Sequence, residues 1–361
     1  MTSAILVTLG GFEAGLRLFY PQKLYRFPSG LFREEPDRVY GFNPGFHGSM
    51  RNPEYETEVR INSLGFRGPE VGPKARGVRR VLVLGDSFVS ALNVDEDETF
   101  TSVLQARLRT EMGVGDIEVV NAGTPGYGTW HELRVLRSLA PVVQPDVAIL
   151  CIYVGNDLED NLAPKASTVR DGLLVSRTAG KGILPSAVRS WLQRNSMAYV
   201  FLWRAWDQVR PLFGLRAVEP LAHFKAIVSR APTEETRKGY ETSGQILREL
   251  AAATRGRFPV LVVLIPDELQ VDPDPFWQLI RREGRPTGDF ELDQPSRAWG
   301  GAVGEAGLPL LDLLPEFRAR PAGERLYMSL DGHLTTMGNR LVGETLARAT
   351  ARLLSGSTVA R

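Results

Sequence analysis

The chain has a single cysteine, Cys151, in 361 residues. No intramolecular disulfide can therefore form, and a thiolate-rich metal site is excluded. An excess of charge is missing too, since 43 basic and 42 acidic residues leave a formal net charge of +1. No block of like charge stands out, which points away from nucleic acid or an anionic surface as partner. Long apolar runs are scarce near the N-terminus. Ala4 to Gly11 is apolar before Glu13 and Arg17 interrupt it, about half of the ~20 residues a membrane-spanning helix needs. No basic residue precedes Ala4 as in a signal peptide. Two readings stand for this stretch. One is an ordinary helix with Glu13 and Arg17 paired one turn apart. The other is the tail of an anchor that starts upstream, giving membrane association through the N-terminus. Compartment stays open between an extracytoplasmic or membrane-associated place and the cytoplasm. Internal repeats and low-complexity tracts are absent, and nothing addresses oligomeric state.

What is present suits a large core, with 43% hydrophobic and 24% charged residues in a chain long enough to bury most of its unfolded surface. Residues 21–77 are rich in Pro, Gly, Arg and aromatics. The alternation Val59-Arg60-Ile61-Asn62 followed by Ser63-Leu64-Gly65 predicts a hairpin or extended segment, and residues 68–77 read as a linker. Val81–Leu84 is a β-branched-rich run that suits a strand buried on both faces. Phe100, Val103, Leu104 and Leu108 then recur at helical spacing behind Asp97 and Glu98. Further strands are expected at Ile117–Val120, Val147–Val154, Val260–Ile265 and Leu308–Leu311. Helices are expected around Trp130–Leu139, over Thr233–Ala253, and over Thr336–Leu354 with Thr335 as cap.

Alternating strands and helices predict a three-layer α/β/α, flavodoxin-like domain around a five-stranded parallel sheet. Residues 1–77 form an N-terminal helix plus an extended or hairpin segment, and 78–361 the main domain. After strand three, residues 164–230 make a helical insertion carrying Trp191, Tyr199, Phe201, Trp203, Trp206 and Phe213. It is read as plain subdomain packing, with a lid or a surface patch as alternatives. Asp272, Asp274 and Asp293 form a loose acidic group that the intervening Pro273 and Pro275 assign to a surface loop. No metal or other cofactor is called for.

In such sheets chemistry gathers beyond the carboxyl ends of the strands, and four short segments fall there. Gly85-Asp86-Ser87-Phe88 follows strand one, where the Ser87 N–H can face a developing oxyanion. Asn121-Ala-Gly-Thr-Pro-Gly126-Tyr-Gly128 follows strand two, and its glycines permit close backbone approach to a ligand. They lack the order of a dinucleotide fingerprint. Gly155-Asn156-Asp157 closes strand three with an amide that can donate into a pocket. Asp331-Gly332-His333 precedes the final helix, a carboxylate spaced to orient an imidazole. His47, His131 and His223 have no comparable setting and read as exposed or core-satisfied.

This set resembles the SGNH hydrolases, also called GDSL esterases and lipases, named for a Ser, a Gly, an Asn and a His in four separated blocks. The resemblance implies Ser87 as nucleophile, His333 as general base and Asp331 as its partner. It implies an oxyanion hole of the Ser87 and Gly126 N–H groups and the Asn156 amide. It covers about 58–161 and 259–353, including the Val94–Phe100 segment. Bacterial members with an N-terminal anchor carry a V-R-I-N…G-F-R-G pattern that Arg60, Asn62, Gly65 and Arg67 fit. Many members space the last pair Asp-x-x-His. The tighter Asp331-Gly332-His333 resembles relatives that acetylate or deacetylate polysaccharides.

The expected activity is therefore a serine esterase acting on short-chain or O-acetyl esters of a small molecule or glycan. An O-acyltransferase using the same triad on a sugar hydroxyl, and an inactive binding module on the same fold, are the alternatives. A flavodoxin-like cofactor binder fits less well, because Asp86 stands where a phosphate would sit.

Overall fold

The computed structural model describes residues 2–110, 113, 115–176, 185–209, 218–321 and 323–355. The chain opens with α1 (Thr2–Phe19) and two antiparallel hairpins. The first pairs β1 (Phe32–Glu35) with β2 (Val39–Phe42), and the second pairs β3 (His47–Arg51) with β4 (Glu56–Arg60). The main domain then runs through β5 (Arg79–Gly85), α2 (Ser87–Ser90), α3 (Phe100–Thr110), β6 (Ile117–Gly123), α4 (Thr129–Val143) and β7 (Val147–Tyr153). An insertion follows with α5 (Asp157–Leu162), the hairpin of β8 (Ser167–Arg170) and β9 (Leu173–Ser176), α6 (Ser186–Asn195), α7 (Met197–Val209) and α8 (Val218–Ile227). The chain returns through α9 (Glu234–Thr254), β10 (Val260–Ile265), α10 (Glu268–Val271), α11 (Asp274–Arg282) and α12 (Gln294–Glu305). It ends with β11 (Leu310–Asp312), α13 (Leu314–Arg318) and α14 (Thr336–Leu354).

β5, β6, β7, β10 and β11 form one parallel sheet in the order β11-β10-β7-β5-β6. This is the doubly wound arrangement expected from the strand–helix alternation. The apolar run of β5 explains its place inside the sheet between β7 and β6, because successive residues feed opposite cores. Leu82 and Leu84 point to the layer that includes Leu136, Leu247 and Trp299, from α4, α9 and α12. Val81 and Val83 point to the layer that includes Phe100, Leu104 and Leu346, from α3 and α14. Strand order reverses at β5, with β6 on one side and β7 on the other. The crevice of such a sheet opens beyond the carboxyl ends at that reversal.

The N-terminal hairpins are built into this body. Leu31, Phe42, Val59 and Ile61 share a small core with Leu92, while Tyr40 and Phe66 join the larger one. Residues 68–77 are tethered by Arg80, which is almost fully buried, through bonds to Gly72 O (2.7 Å) and Glu118 (2.6 Å). Glu13 and Arg17 of α1 pair at 2.8 Å. Glu13 also accepts from the Met197 and Ala198 N–H groups at the start of α7 (3.1 and 2.8 Å), and Phe12 meets Phe201 edge-on. The insertion thus packs on the N-terminal segment, with Trp191, Leu202 and Trp206 exposed on its outer side. Phe213 lies outside the described residues. Among the described residues no helix is long and apolar enough to cross a membrane. Asp274 is not in a loop, because Pro273 and Pro275 sit at the start of α11, where a missing N–H costs nothing.

Candidate active site

Ser87 begins α2 directly after β5, with the Asp86 carboxylate accepting from the Phe88 N–H at 2.8 Å as helix cap. Arg67, 2% exposed, fastens the other end of this short helix. Its guanidinium donates to Ser90 O (3.2 Å), to Ala91 O and to Val94 O (2.7 Å). Burial lowers its pKa to about 10, which leaves it charged at neutral pH. The loop carrying His333 is joined to the same region by Asn93, which donates to Leu334 O at 2.8 Å.

Ser87 Oγ lies 2.8 Å from His333 Nε2, and His333 Nδ1 is hydrogen-bonded to Asp331 Oδ1. Two residues apart, the carboxylate and imidazole meet because Gly332 takes φ +79°, a left-handed conformation that favours glycine. The loop is closed by Met328 N–H to His333 O (2.8 Å) and Gly332 N–H to Met328 O (3.0 Å). The imidazole rests on Phe88, which itself stacks on Tyr153. Burial pulls the His333 pKa down, but the Asp331 hydrogen bond and charge, with the charge of Asp86, leave it raised above 6.5.

Gly126 sits in the turn after β6, closed by Tyr127 N–H to Thr124 O at 3.2 Å. Its φ of +73° suits the third position of a Pro-Gly turn, and a Cβ there would come within 2.8 Å of the Tyr40 hydroxyl. Asn156 ends the β7 segment as the cap residue of α5 and donates one amide N–H to Asp160 Oδ2 at 2.9 Å. An amide carries two such donors, and the second faces the buried Asp86 carboxyl beside Ser87. Under these residues lies an acidic layer. Burial pushes Asp86 up to about 6 and Asp160 to about 7. Fully buried Glu132 and Asp157 are driven well above the carboxylate range by burial and by the charges of Asp86 and Asp160.

Ser87, Gly126 and Asn156 thus lie just beyond the carboxyl ends of β5, β6 and β7, and Asp331 and His333 in the loop before α14. Ser87, His333 and Asp331 form one hydrogen-bonded line. The other histidines serve elsewhere. His131 is buried and bridges Gly128 N–H and Pro164 O, His223 pairs with Glu159, and exposed His47 lies 3.3 Å from Glu58.

Sequence reasoning missed a third contributor, the turn of the second N-terminal hairpin. Asn52 Nδ2 donates to Asp331 Oδ2 at 3.1 Å. Glu54 Oε2 accepts from the Leu330 and Asp331 N–H groups at 3.0 and 2.9 Å. Burial, together with the charge of Asp331, raises the Tyr55 pKa, so its hydroxyl keeps its proton. An Asn-Pro-Glu-Tyr turn carries no signal of its own, and nothing local to it points to a residue 279 positions away.

The sequence profile of the GDSL-like Lipase/Acylhydrolase family matches residues 83–341. Among solved structures, the chain is similar to TesA at 16% identity, covering 76% of this chain and 98% of that one, with a TM-score of 0.39. It is similar to a lipase/acylhydrolase from Enterococcus faecalis at 16% identity, over 76% and 95%, with a TM-score of 0.40. It is also similar to the acetyl xylan esterase AlAXEase at 15% identity, over 75% and 98%, with a TM-score of 0.40. No curated protein matches the chain in sequence. With the profile spanning well over half of its length, the chain belongs to the GDSL-like lipase/acylhydrolase family and is an ester-hydrolysing enzyme.

Proposed function

We propose that the protein is a serine esterase that cleaves short-chain or O-acetyl carboxylic esters through an acyl-enzyme on Ser87. The observation that carries this reading is the continuous line from Ser87 Oγ through His333 to Asp331. In the first step His333 Nε2 takes the Ser87 proton as Oγ attacks the ester carbonyl. Asp331 holds Nδ1–H, which fixes the tautomer and stabilises the imidazolium. The tetrahedral oxyanion is met by the N–H groups of Ser87 and Gly126 and by the Asn156 amide. Collapse expels the alcohol, which takes the proton from His333. Water, deprotonated in turn by His333, then attacks the acyl-enzyme and releases the acid. Ser87 and His333 are only half-buried, which supports water as the acceptor.

The test is Ser87→Ala assayed on 4-nitrophenyl acetate, with circular dichroism to check the fold. Loss of the serine in a triad costs roughly 10⁶ in turnover, so activity should fall to background and labelling by a fluorophosphonate should vanish. Retained turnover in a folded variant would overturn the assignment. Running the wild type with an added oligosaccharide separates hydrolysis from transfer, by whether acetate or acetylated sugar accumulates.

A further inference from the structure

We infer that the N-terminal hairpins, which lie outside the segment matched by the family profile, supply positioning residues for both halves of the catalytic centre. Asn52 and Glu54 hold the acid, and Tyr40 holds the oxyanion peptide. The inference rests on the triad reading proposed above.

Asp331 sits in a loop only two residues from His333, and its carboxylate has two oxygens to place. Oδ1 meets the imidazole. The second oxygen would be free to swing, were it not held by Asn52 Nδ2 at 3.1 Å. Asn52 is 4% exposed and is itself fixed, because its Oδ1 accepts from the Glu54 and Tyr55 N–H groups at 2.7 and 3.0 Å. That leaves only Nδ2 to face Asp331, so the amide orientation is set by the turn. Glu54 grips the backbone of the same residue through Leu330 and Asp331 N–H. The buried Tyr55 ring closes this turn against the same loop, with its hydroxyl close enough to feel the Asp331 charge. A side chain held this way presents one oxygen to His333, which is what the acid of a triad must do.

The oxyanion peptide follows the same logic. The Tyr40 hydroxyl donates to Pro125 O at 2.9 Å, and Tyr40 is wholly buried. In a trans peptide the carbonyl and the following N–H point in opposite directions. Holding Pro125 O toward Tyr40 therefore turns the Gly126 N–H away from it. Tyr127 locks the arrangement by donating its hydroxyl to Tyr40 O. Tyr40 and Asn52 touch neither nucleophile nor base, so they act through the groups they hold.

The decisive experiment uses the full chain and 4-nitrophenyl acetate. Asn52→Asp keeps the oxygen that organises the turn and replaces the donor by an acceptor. It should lower kcat by about 10- to 100-fold, the size of a hydrogen bond to a charged group, with KM within about twofold. Tyr40→Phe removes one neutral bond and should lower kcat by about 5- to 10-fold. The double variant Asn52→Asp with Asp331→Asn separates positioning from general damage. In it the donor and acceptor have exchanged places. The carboxylate on the hairpin turn can accept from the amide on the catalytic loop, which turns that amide's oxygen back to His333. Activity should then equal or exceed that of Asp331→Asn alone, whereas a purely structural role for Asn52 would multiply the two losses. Full kcat in Asn52→Asp and Tyr40→Phe, with Asp331→Asn impaired, overturns the inference and leaves the triad standing. Multiplied losses in the double variant overturn it likewise. Full kcat in Asp331→Asn removes the triad reading and the inference with it.

Discussion

The strand ends of the sheet and the N-terminal hairpins contribute to the same crevice in opposite ways. In the proposed reaction the strand ends bring the reacting groups: Ser87 after β5, Gly126 after β6 and Asn156 after β7, with His333 before α14. They bring them on top of buried carboxyls, Asp86, Glu132, Asp157 and Asp160, that weaken the fold as they are forced to ionise. The hairpins bring no nucleophile, base or oxyanion donor. Their residues are bonded outward, Arg67 to the end of α2, Tyr40 to the Pro125 carbonyl and Asn52 to Asp331. One region is arranged for reactivity at some cost in stability, and the other holds it in register. This division is the usual way a precise site is built, with reactive groups supported by partners that are themselves fixed.

The largest effect that would sharpen this contrast belongs to the strand ends. After the nucleophile itself, Asn156→Ala should lower kcat about 10²- to 10³-fold, as loss of an oxyanion donor does. Melting temperature should fall by only a few degrees, since the amide's internal partners are limited to the carboxyls of Asp160 and Asp86. Steady-state kinetics beside a thermal melt would show it. If kcat is unchanged, Asn156 does not face the oxyanion.

Arg67→Met should show the opposite pattern. The variant leaves the carbonyls of Ser90, Ala91 and Val94 without their charged donor. A loss of about 3 kcal/mol is expected, from the bonds a charged donor makes to buried groups. Chemical denaturation would measure it, and the surviving folded fraction should keep much of its kcat. A fully stable variant would remove Arg67 from the account of the hairpins.

The third effect separates the regions by pH. Asp86 and Asp160 have folded-state pKa values raised to about 6 and about 7 by burial, so the native state holds protons that the unfolded chain has released. Stability therefore falls as pH rises from the unfolded carboxylate range through those values. His333, raised by its partner, contributes stability that is present at low pH and lost as pH climbs through its own pKa, so it acts in the same direction. The carboxylates held low, Glu13, Glu159 and Glu344, act with the opposite sign, and their stabilisation is lost only as pH falls into the acid range. From pH 5 to pH 8 the melting temperature should drop by roughly 5 °C, for about 3 kcal/mol. Activity should rise over the same interval, because His333 must lose its proton to act as base. A melting temperature that rises with pH would mean that the acidic layer is paired.

How much of this was legible in the sequence follows from how each feature is encoded. β5, β7 and β10 are continuous apolar runs that only a doubly covered strand can accommodate. Their alternation with helices such as α4 and α9 gave the sheet, and Thr233 and Thr335 marked helix starts that the structure places where expected, each accepting from an N–H three residues on. Ser87, Gly126, Asn156, Asp331 and His333 could be singled out because each sits in a short segment with its own chemistry. Asn52, Glu54 and Tyr40 were not, because their significance lies wholly in what they touch. Pro273 and Pro275 misled, since a proline that breaks a helix interior is equally suited to its first turn.

By itself the sequence determined the alternation of buried strands and amphipathic helices, and with it the end of the sheet at which chemistry gathers. It did so because periodicity and turn chemistry are local properties of the chain. Only the tertiary structure decided which oxygen of Asp331 faces His333 and which way the Gly126 N–H points. Those orientations are set by hydrogen bonds from residues far away in the chain, and such bonds exist only once the hairpins have packed against the sheet.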